Sequence, residues 1–316
     1  MMNRLLSEVE KAKSIAILSH IPPDGDALGS MLGMKEALAG LGKTQTRVFS
    51  AEIPDTYLFM PGIGDIETVW DNTAFDLAII VDCADVRLTG GFLPVYQSAG
   101  KTASLDHHLS NTGNGRLSFI DTNASSAAQV VLSFIEFAGV ELTPSMATNL
   151  YVGMSADTGH FCHSNTTERT FRDAAKLTGA GADVSYAAMQ LYKRRSLLKT
   201  RLIGRAISNL ELLEGGKIAL MLIDDPDYAF LGSSDLDYEG VIDFARDIDG
   251  VEVAVLMRKA NQNKYKVSLR SKLSANVNTV AQQFGGGGHE RASGCILKGS
   301  QIEARDMLLQ EIKKVL

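Results

Sequence analysis

The chain has 316 residues, enough for two domains that each bury a core of their own. With 45% hydrophobic and 22% charged residues it reads as a globular protein, and no apolar run approaches a membrane span, so no membrane partner is expected. A net charge of −6 argues against long duplex nucleic acid, which needs broad basic surface, but leaves room for a short anionic ligand held by local cations. Cys83, Cys162 and Cys295 lie far apart with no Cys-x-x-Cys, which disfavours a disulfide scaffold or thiolate zinc site and points to a reducing cytoplasm. The N-terminal residues have no apolar core of signal-peptide type.

The first half alternates short apolar runs with helical patterns. A strand over Ser14–Ser19 leads through His20-Ile21-Pro22-Pro23-Asp24-Gly25-Asp26 to a helix from about Ala27 to Gly40, striped by Leu28, Met31, Leu32 and Leu38. Strands follow near Arg47–Ser50, Leu77–Val81 and Thr102–Leu105, then helices over Ser126–Gly139, Ser145–Thr158 and Glu168–Ala180. The order is that of βαβ units, so the expected fold is α/β, a doubly wound parallel sheet. A helical stretch from Ser185 to about Leu213 reads, in its second half, as the connection to a smaller α+β domain. Strands are expected there at Ile218–Ile223, Val251–Met257, Lys264–Leu269 and Cys295–Leu297, and helices at Asp237–Asp247, Val277–Phe284 and Gln301–Val315. The resulting boundaries are 1–190 for the first domain, 191–214 for a helical linker and 215–316 for the second.

Four acidic or histidine-bearing segments stand where strands should end: the His20–Asp26 loop, Val81-Asp82-Cys83, Asp106-His107-His108 and Asp157-Thr158-Gly159. In an open parallel sheet the carboxyl ends of the strands share one edge, so these groups can converge. Each has a plainer reading: Asp24 and Asp26 as a turn and helix cap, Asp82 as a strand terminator, Asp157 as a helix-terminal residue. All four holding at once on one edge is hard to sustain. Carboxylates of Asp24, Asp26, Asp82 and Asp157 in one pocket carry about four negative charges, which two divalent cations would cancel. His160-Phe161-Cys162-His163 matches no closed tetrahedral zinc site and reads as a loop near the pocket. Gly285–Gly288 before His289 lacks the Lys-Ser/Thr of a phosphate loop; it reads as a flexible turn or a backbone nest for an anion, near Arg270-Ser271-Lys272.

Together these residues resemble the DHH phosphoesterase superfamily, specifically its DHH–DHHA1 members of nanoRNase and pAp-phosphatase type. The resemblance spans nearly the whole chain and continues through Glu239-Gly240, Arg270-Ser271, Gly286-Gly287-Gly288-His289 and Ala292-Ser293-Gly294, with Gly285 one glycine beyond the usual three. It implies one ion held by His20, Asp24 and Asp82 and another by Asp26, Asp82, His107 and Asp157, with Asp82 bridging. Asp106 would then support the ligands, and His108 would face the substrate phosphate. The donor mixture suits Mn²⁺, with Mg²⁺ or Co²⁺ as replacements. A second domain closing over the nucleotide would bind it through Arg270, Ser271, Gly287, Gly288 and His289.

The activity so implied is hydrolysis of short oligoribonucleotides to mononucleotides, and of 3′-phosphoadenosine 5′-phosphate (pAp) to AMP. Phosphodiesterase action on cyclic or linear dinucleotides stays open, as does a non-catalytic nucleotide-binding regulator, although intact metal positions count against the latter. The Gly-rich His289 segment argues against inorganic pyrophosphatase activity. A homodimer is left open.

Overall fold

The computed structural model describes residues 2–111 and 113–316, in two units, one ending at Arg194 and the other spanning Arg195–Leu316. The first unit runs α1 (Met2–Lys11), β1 (Ile15–Leu18), α2 (Gly25–Gly40), β2 (Thr46–Phe49), β3 (Ile66–Glu67), β4 (Leu77–Val81), α3 (Leu93–Ser98), β5 (Lys101–Asp106), β6 (Leu117–Ile120), α4 (Ala127–Ala138), α5 (Pro144–Asp157), α6 (Glu168–Gly179) and α7 (Val184–Ala188). Its six strands form one parallel sheet in the order β3-β2-β1-β4-β5-β6. Both faces are covered, which explains the unbroken apolar strands. Ile15, Ile17, Leu77 and Ile79 pack with residues of α2, α4 and α5, while Ala16, Leu18, Ala78 and Ile80 pack against Phe75, Phe92 and Val95. The chain winds outward from β1 to β3, then returns to place β4 on the other side of β1. That reversal opens a crevice at the carboxyl ends of β1 and β4.

α1, β3, α3 and β6 were not expected from the sequence; β3, α3 and β6 are short, whereas α1 is an amphipathic helix of 10 residues that buries Leu5 and Val9. The stretch expected as one helix from Ser185 to Leu213 is broken. After α7, Met189–Lys193 form one widened helical turn, and Arg194 is extended. Ser196 then caps α8 (Leu197–Ser208) by accepting the Lys199 N–H at 3.0 Å. The last residues of the stretch are strand β7 (Leu210–Leu213), paired antiparallel with β8 (Ile218–Ile223). Leu202, Ile203 and Ala206 of α8 are buried in the core of the second unit, so this helix is part of that unit.

The second unit continues with α9 (Asp225–Leu231), α10 (Asp243–Arg246), β9 (Val253–Asn261), β10 (Lys264–Ser271), α11 (Val277–Gln283), β11 (Gly287–His289), β12 (Ala292–Lys298) and α12 (Gln301–Lys313). Its sheet order is β11-β12-β10-β9-β8-β7, with only β8 and β9 parallel. The helix expected at Asp237–Asp247 shrinks to α10. Asp237 accepts the Glu239 N–H at 2.9 Å, and Gly240 adopts φ 69°, which ends any helical run before it starts. One face of the sheet packs on α11 and α12 through Val255, Val267, Leu269 and Cys295; the other packs on α8 and α10 through Ala219, Met221, Ala254 and Leu256. Among the described residues no helix is long and apolar enough to cross a membrane.

Candidate metal centre

The crevice between β1 and β4 collects His20, Asp24, Asp26, Asp82, His107 and Asp157. Ser19 ties the two strand ends together, its hydroxyl donating to the Asp82 carbonyl at 3.2 Å. His20 follows directly, its Nε2 3.4 Å from Asp82 Oδ2 and 3.8 Å from Asp24 Oδ1. Asp24 also caps α2, accepting the Asp26 and Ala27 N–H groups at 3.0 Å each. The plain reading and the functional one therefore hold together for this residue.

Asp26 is the most constrained carboxylate, 1% exposed within the first turn of α2. It accepts the Ala127 N–H at 2.5 Å and the Ala128 N–H at 2.8 Å, so it faces the positive end of α4. Burial pushes its pKa well above the usual carboxylate value, and Asp82, Asp157 and Asp24 push it further. Close helix packing sets its position. A Cβ on Gly29 of α2 would lie 2.4 Å from the Asn149 carbonyl oxygen, and one on Gly153 of α5 would lie 2.8 Å from Asp26 Oδ1. Only glycine lets these helices approach so closely.

Asp82 leaves β4 in the left-handed region at φ 48° and is 2% exposed. That conformation costs an aspartate about 1–3 kcal/mol, a cost characteristic of functional positions. The turn aims Oδ1 at His107 Nε2, 3.7 Å away, and Oδ2 at His20. His107 Nε2 also lies 3.6 Å from Asp157 Oδ2 and 3.9 Å from Asp26 Oδ2. Asp82 Oδ1 and His107 Nε2 are both buried without a hydrogen-bond partner. Buried polar atoms are seldom left so, and a shared cation satisfies both.

Asp106 has another task. Fully buried at the end of β5, it accepts from the His107 N–H at 2.8 Å, His108 Nδ1 at 2.8 Å and Asn111 Nδ2 at 2.7 Å. Burial presses its pKa upward, yet the His108 and Asn111 contacts hold it below the usual carboxylate value. In return the Asp106 carboxylate pushes the His108 pKa up to about 9. His108 is 42% exposed on its side chain, and with Nδ1 committed to Asp106 only Nε2 can address an incoming group. Asp157 comes from a helix and not from a strand end, being the last residue of α5. α5 packs against α2 and brings the carboxylate in from the side. Burial pushes its pKa up to about 6; the His107 ring opposes this and Asp82 adds to it.

Sequence reading missed Asn111, which also donates to the Cys83 carbonyl at 3.2 Å, and Asn165, whose amide donates to the Asp157 and Ser125 carbonyls at 3.1 and 3.0 Å. Asparagines within a few residues of the ligand motifs were the available signal. His160 belongs to a separate contact, with Nδ1 3.2 Å from Ser155 Oγ and its ring 4.7 Å from that of Tyr192. Among the described residues Cys162 joins no group of metal donors.

In the second unit Arg270 and His289 are both in register with Ala292, from opposite sides of β12. Directly opposed residues point to one face, so the two side chains share it, about 10 Å apart across two strand spacings. Ser271 does not join them. It alternates to the other face, buried, its hydroxyl without a partner. Gly285, at φ 69°, closes the turn after α11, and Gly287 and Gly288 belong to edge strand β11. A Cβ on Gly286 would lie 2.2 Å from the Gly294 carbonyl oxygen, and one on Gly288 would lie 2.4 Å from that of Ala292. Gly287 pairs with Gly294, Gly288 with Ser293, and both are exposed.

The donor set fits divalent cations. His20, Asp24 and Asp82 offer donor atoms within 4.8 Å of one another, as do Asp26, His107 and Asp157. Imidazole nitrogens with carboxylate oxygens suit such ions far better than the bare repulsion of four carboxylates.

Comparison with known proteins agrees. The model for the DHH family, N-terminal domain, matches residues 14–154, and that for the DHHA1 domain matches residues 201–316. A curated relative from Thermus thermophilus, the bifunctional oligoribonuclease and PAP phosphatase NrnA, is 32% identical over 99% of this chain and 94% of its own length. The protein of the same name from Bacillus subtilis is 27% identical over 93% of this chain and 92% of its own. Among solved structures, an exopolyphosphatase-related protein from Bacteroides fragilis matches with a TM-score of 0.86 at 26% identity, covering 99% of this chain and 95% of that one. With both domains matched in order and a relative alike along nearly its full length, the chain belongs to the DHH phosphoesterase family, a DHH domain followed by a DHHA1 domain.

Proposed function

We propose that the chain hydrolyses short oligoribonucleotides to mononucleotides and removes the 3′-phosphate of pAp to leave AMP. The observation that carries this is the pairing of two orphaned buried donors, Asp82 Oδ1 and His107 Nε2, inside a crevice of carboxylates. The activities named for the Thermus and Bacillus relatives support the choice of substrate.

In this reading His20, Asp24 and Asp82 hold one cation and Asp26, Asp82, His107 and Asp157 the other. Mn²⁺ is the metal proposed for both, given the mixed nitrogen and oxygen donors. When bound, such a pair supplies Lewis-acid stabilisation of phosphoryl oxygens and acidification of a water nucleophile. The chain's own contribution begins with His108. Asp106 keeps its ring in the cationic form, so Nε2–H donates to an oxygen of the phosphate under attack or of the departing group. Arg270 and His289, sharing one face of the second sheet, bind the terminal phosphate, and the exposed backbone of Gly287 and Gly288 lies beside them. Ser271 stands apart from this face: its hydroxyl lies on the other side of the sheet and its N–H donates to the Arg291 carbonyl at 3.0 Å. Few cations are available there, so the site grips one end of a short chain and not a long backbone. A cytoplasmic location completes the reading, consistent with three free cysteines.

The test is one comparison of turnover, with Mn²⁺ present, on pAp, dinucleotides, a 24-mer RNA and cyclic dinucleotides. Efficiency should be high on pAp and dinucleotides and fall steeply beyond roughly five nucleotides, the reach of a few local cations. Equal turnover of the 24-mer and the dinucleotide overturns the proposal, and a preference for cyclic dinucleotides replaces it.

A further inference from the structure

A cavity of about 420 Å³ opens in the second unit, lined by Tyr228, Tyr238, Arg258, Lys259 and Lys266 among others. It is built from α9, the segment before α10, and the facing strands β9 and β10. Arg258 of β9 is in register with Lys266 of β10, so both project to the same side. The Arg258 guanidinium lies over the Tyr238 ring at 4.1 Å, and its Nε is buried with no hydrogen-bond partner. Among the described residues no acidic side chain pairs with it. Asp225 also lines the cavity, but its carboxylate is bound to Lys259, which Asp224 approaches at 3.4 Å. Tyr228 is anchored by donating to the Lys259 carbonyl at 2.6 Å, and Tyr238 donates to the Tyr228 hydroxyl at 3.3 Å. What remains uncompensated is one arginine, held flat by a phenol ring, and the exposed Lys266 ammonium.

We propose that this cavity is a second anion site that binds the phosphate of a nucleoside monophosphate. Two free positive charges match the −1.5 to −2 of a phosphomonoester at neutral pH. A guanidinium fixed by stacking presents its N–H fork to phosphate oxygens at little further entropic cost. Arg258 Nε has no acceptor within the protein, so the charge of this guanidinium is left unanswered among the described residues. The volume supplies the reason for a nucleoside. At roughly 30 Å³ per water, the space holds on the order of a dozen waters, much more than one phosphate needs. It also falls in the range of about 300–1,000 Å³ common for small-molecule sites. The phenol rings of Tyr228 and Tyr238 give the organic portion an apolar wall with polar edges. The site is distinct from the Arg270 and His289 pair, and its occupancy does not depend on hydrolysis.

The test is equilibrium dialysis of AMP and of inorganic phosphate against the full chain, with a chelator present so that no turnover occurs. Lys266→Gln, at an exposed position, should weaken AMP binding about tenfold, and Arg258→Gln roughly a hundredfold, as expected for one and for two charge-assisted contacts. Arg270→Ala should leave this binding equivalent in place. Wild-type affinity for AMP in Lys266→Gln overturns the site even if Arg258→Gln fails to fold. Absence of AMP binding to the wild type at millimolar concentration overturns it as well. AMP that binds no more tightly than inorganic phosphate overturns the nucleotide assignment. Failure of the proposed hydrolysis would appear in turnover and leave these binding curves unchanged.

Discussion

The two units handle charge in opposite ways. The first gathers four carboxylates and two imidazoles into a buried crevice, three of the carboxylate-bearing residues half-buried or deeper, and leaves two polar atoms orphaned. The second leaves cations such as Arg270, Lys266 and His289 partly or fully exposed on one side of its sheet. Buried like charges are unstable without a counterion, so the first unit is built to be completed by metal. Exposed cations on a rigid sheet cost little and wait for a mobile anion. The difference teaches where each kind of damage should show: in the first unit through metal content and stability together, in the second through substrate preference alone.

The largest effect is expected at Asp82. Asp82→Ala should lose both ions and reduce turnover by about 10³-fold or more, because it removes the shared ligand and with it the charge stabilisation of the site. Elemental analysis of the purified variant checks this, and two ions at full occupancy would refute the bridging role. The same variant sharpens the contrast between units. Without metal it should be at least as heat-stable as the wild type, since one repelling carboxylate is gone, yet added Mn²⁺ should no longer raise its melting temperature.

Next comes His108→Ala, expected to cost on the order of 10² in rate while metal content stays intact. His107→Ala should show the reverse order of damage, losing metal first. If His108→Ala loses metal and His107→Ala keeps it, the two histidines have exchanged roles.

Arg270→Ala probes the other side of the comparison. It should flatten the preference for short RNA while sparing Mn²⁺-dependent hydrolysis of a small generic phosphodiester. Loss of the generic activity to the same degree would show that the second unit does more than grip a terminal phosphate.

The smallest effect concerns stability of the second unit. Asp227 is buried against α8, where burial raises its pKa but the Asp224 N–H, Arg205 and Asn209 hold it below the usual carboxylate value. A depressed folded pKa means the contribution is present above the unfolded value of about 3.9 and lost as pH falls through the folded one. Asp227→Ala should therefore destabilise by about 1–3 kcal/mol at pH 7, the range for unmaking buried charge-assisted bonds. Denaturant titrations of variant and wild type should converge as the pH drops below 4. A gap that persists at low pH would assign the loss to packing.

Much of this was legible because each metal-site motif of the sheet follows an apolar strand. Burial on both faces makes β1 and β4 continuous hydrophobic runs, and a polar residue just after such a run stands out. His20, Asp82 and the Asp106 segment were found in that way. Asp157 was expected both among the strand-end segments and at the end of a helix over Ser145–Thr158; it closes α5, so the helix-end reading is the one that holds. What places it is the glycine-lined contact of α2 with α5, where Gly25, Gly29 and Gly33 recur every four residues, a pattern that a reading of apolar stripes passes over. In the second unit Arg270 and His289 share one face of the sheet by register, while Ser271 faces away, because a neighbour in sequence points to the opposite side of a strand. Gly240 and the extended Arg194 broke two expected helices through backbone conformation, which apolar spacing does not report.

The hydrogen bonds from Ala127 and Ala128 to Asp26 join residues 101 and 102 positions apart. A ribosome adds roughly 5–20 residues each second, so for several seconds of synthesis Asp26 is present while its helix-end partners are not. Asp157 emerges later still. A nascent chain therefore lacks the complete set of donors until Asp157 has been made, about half way along the sequence.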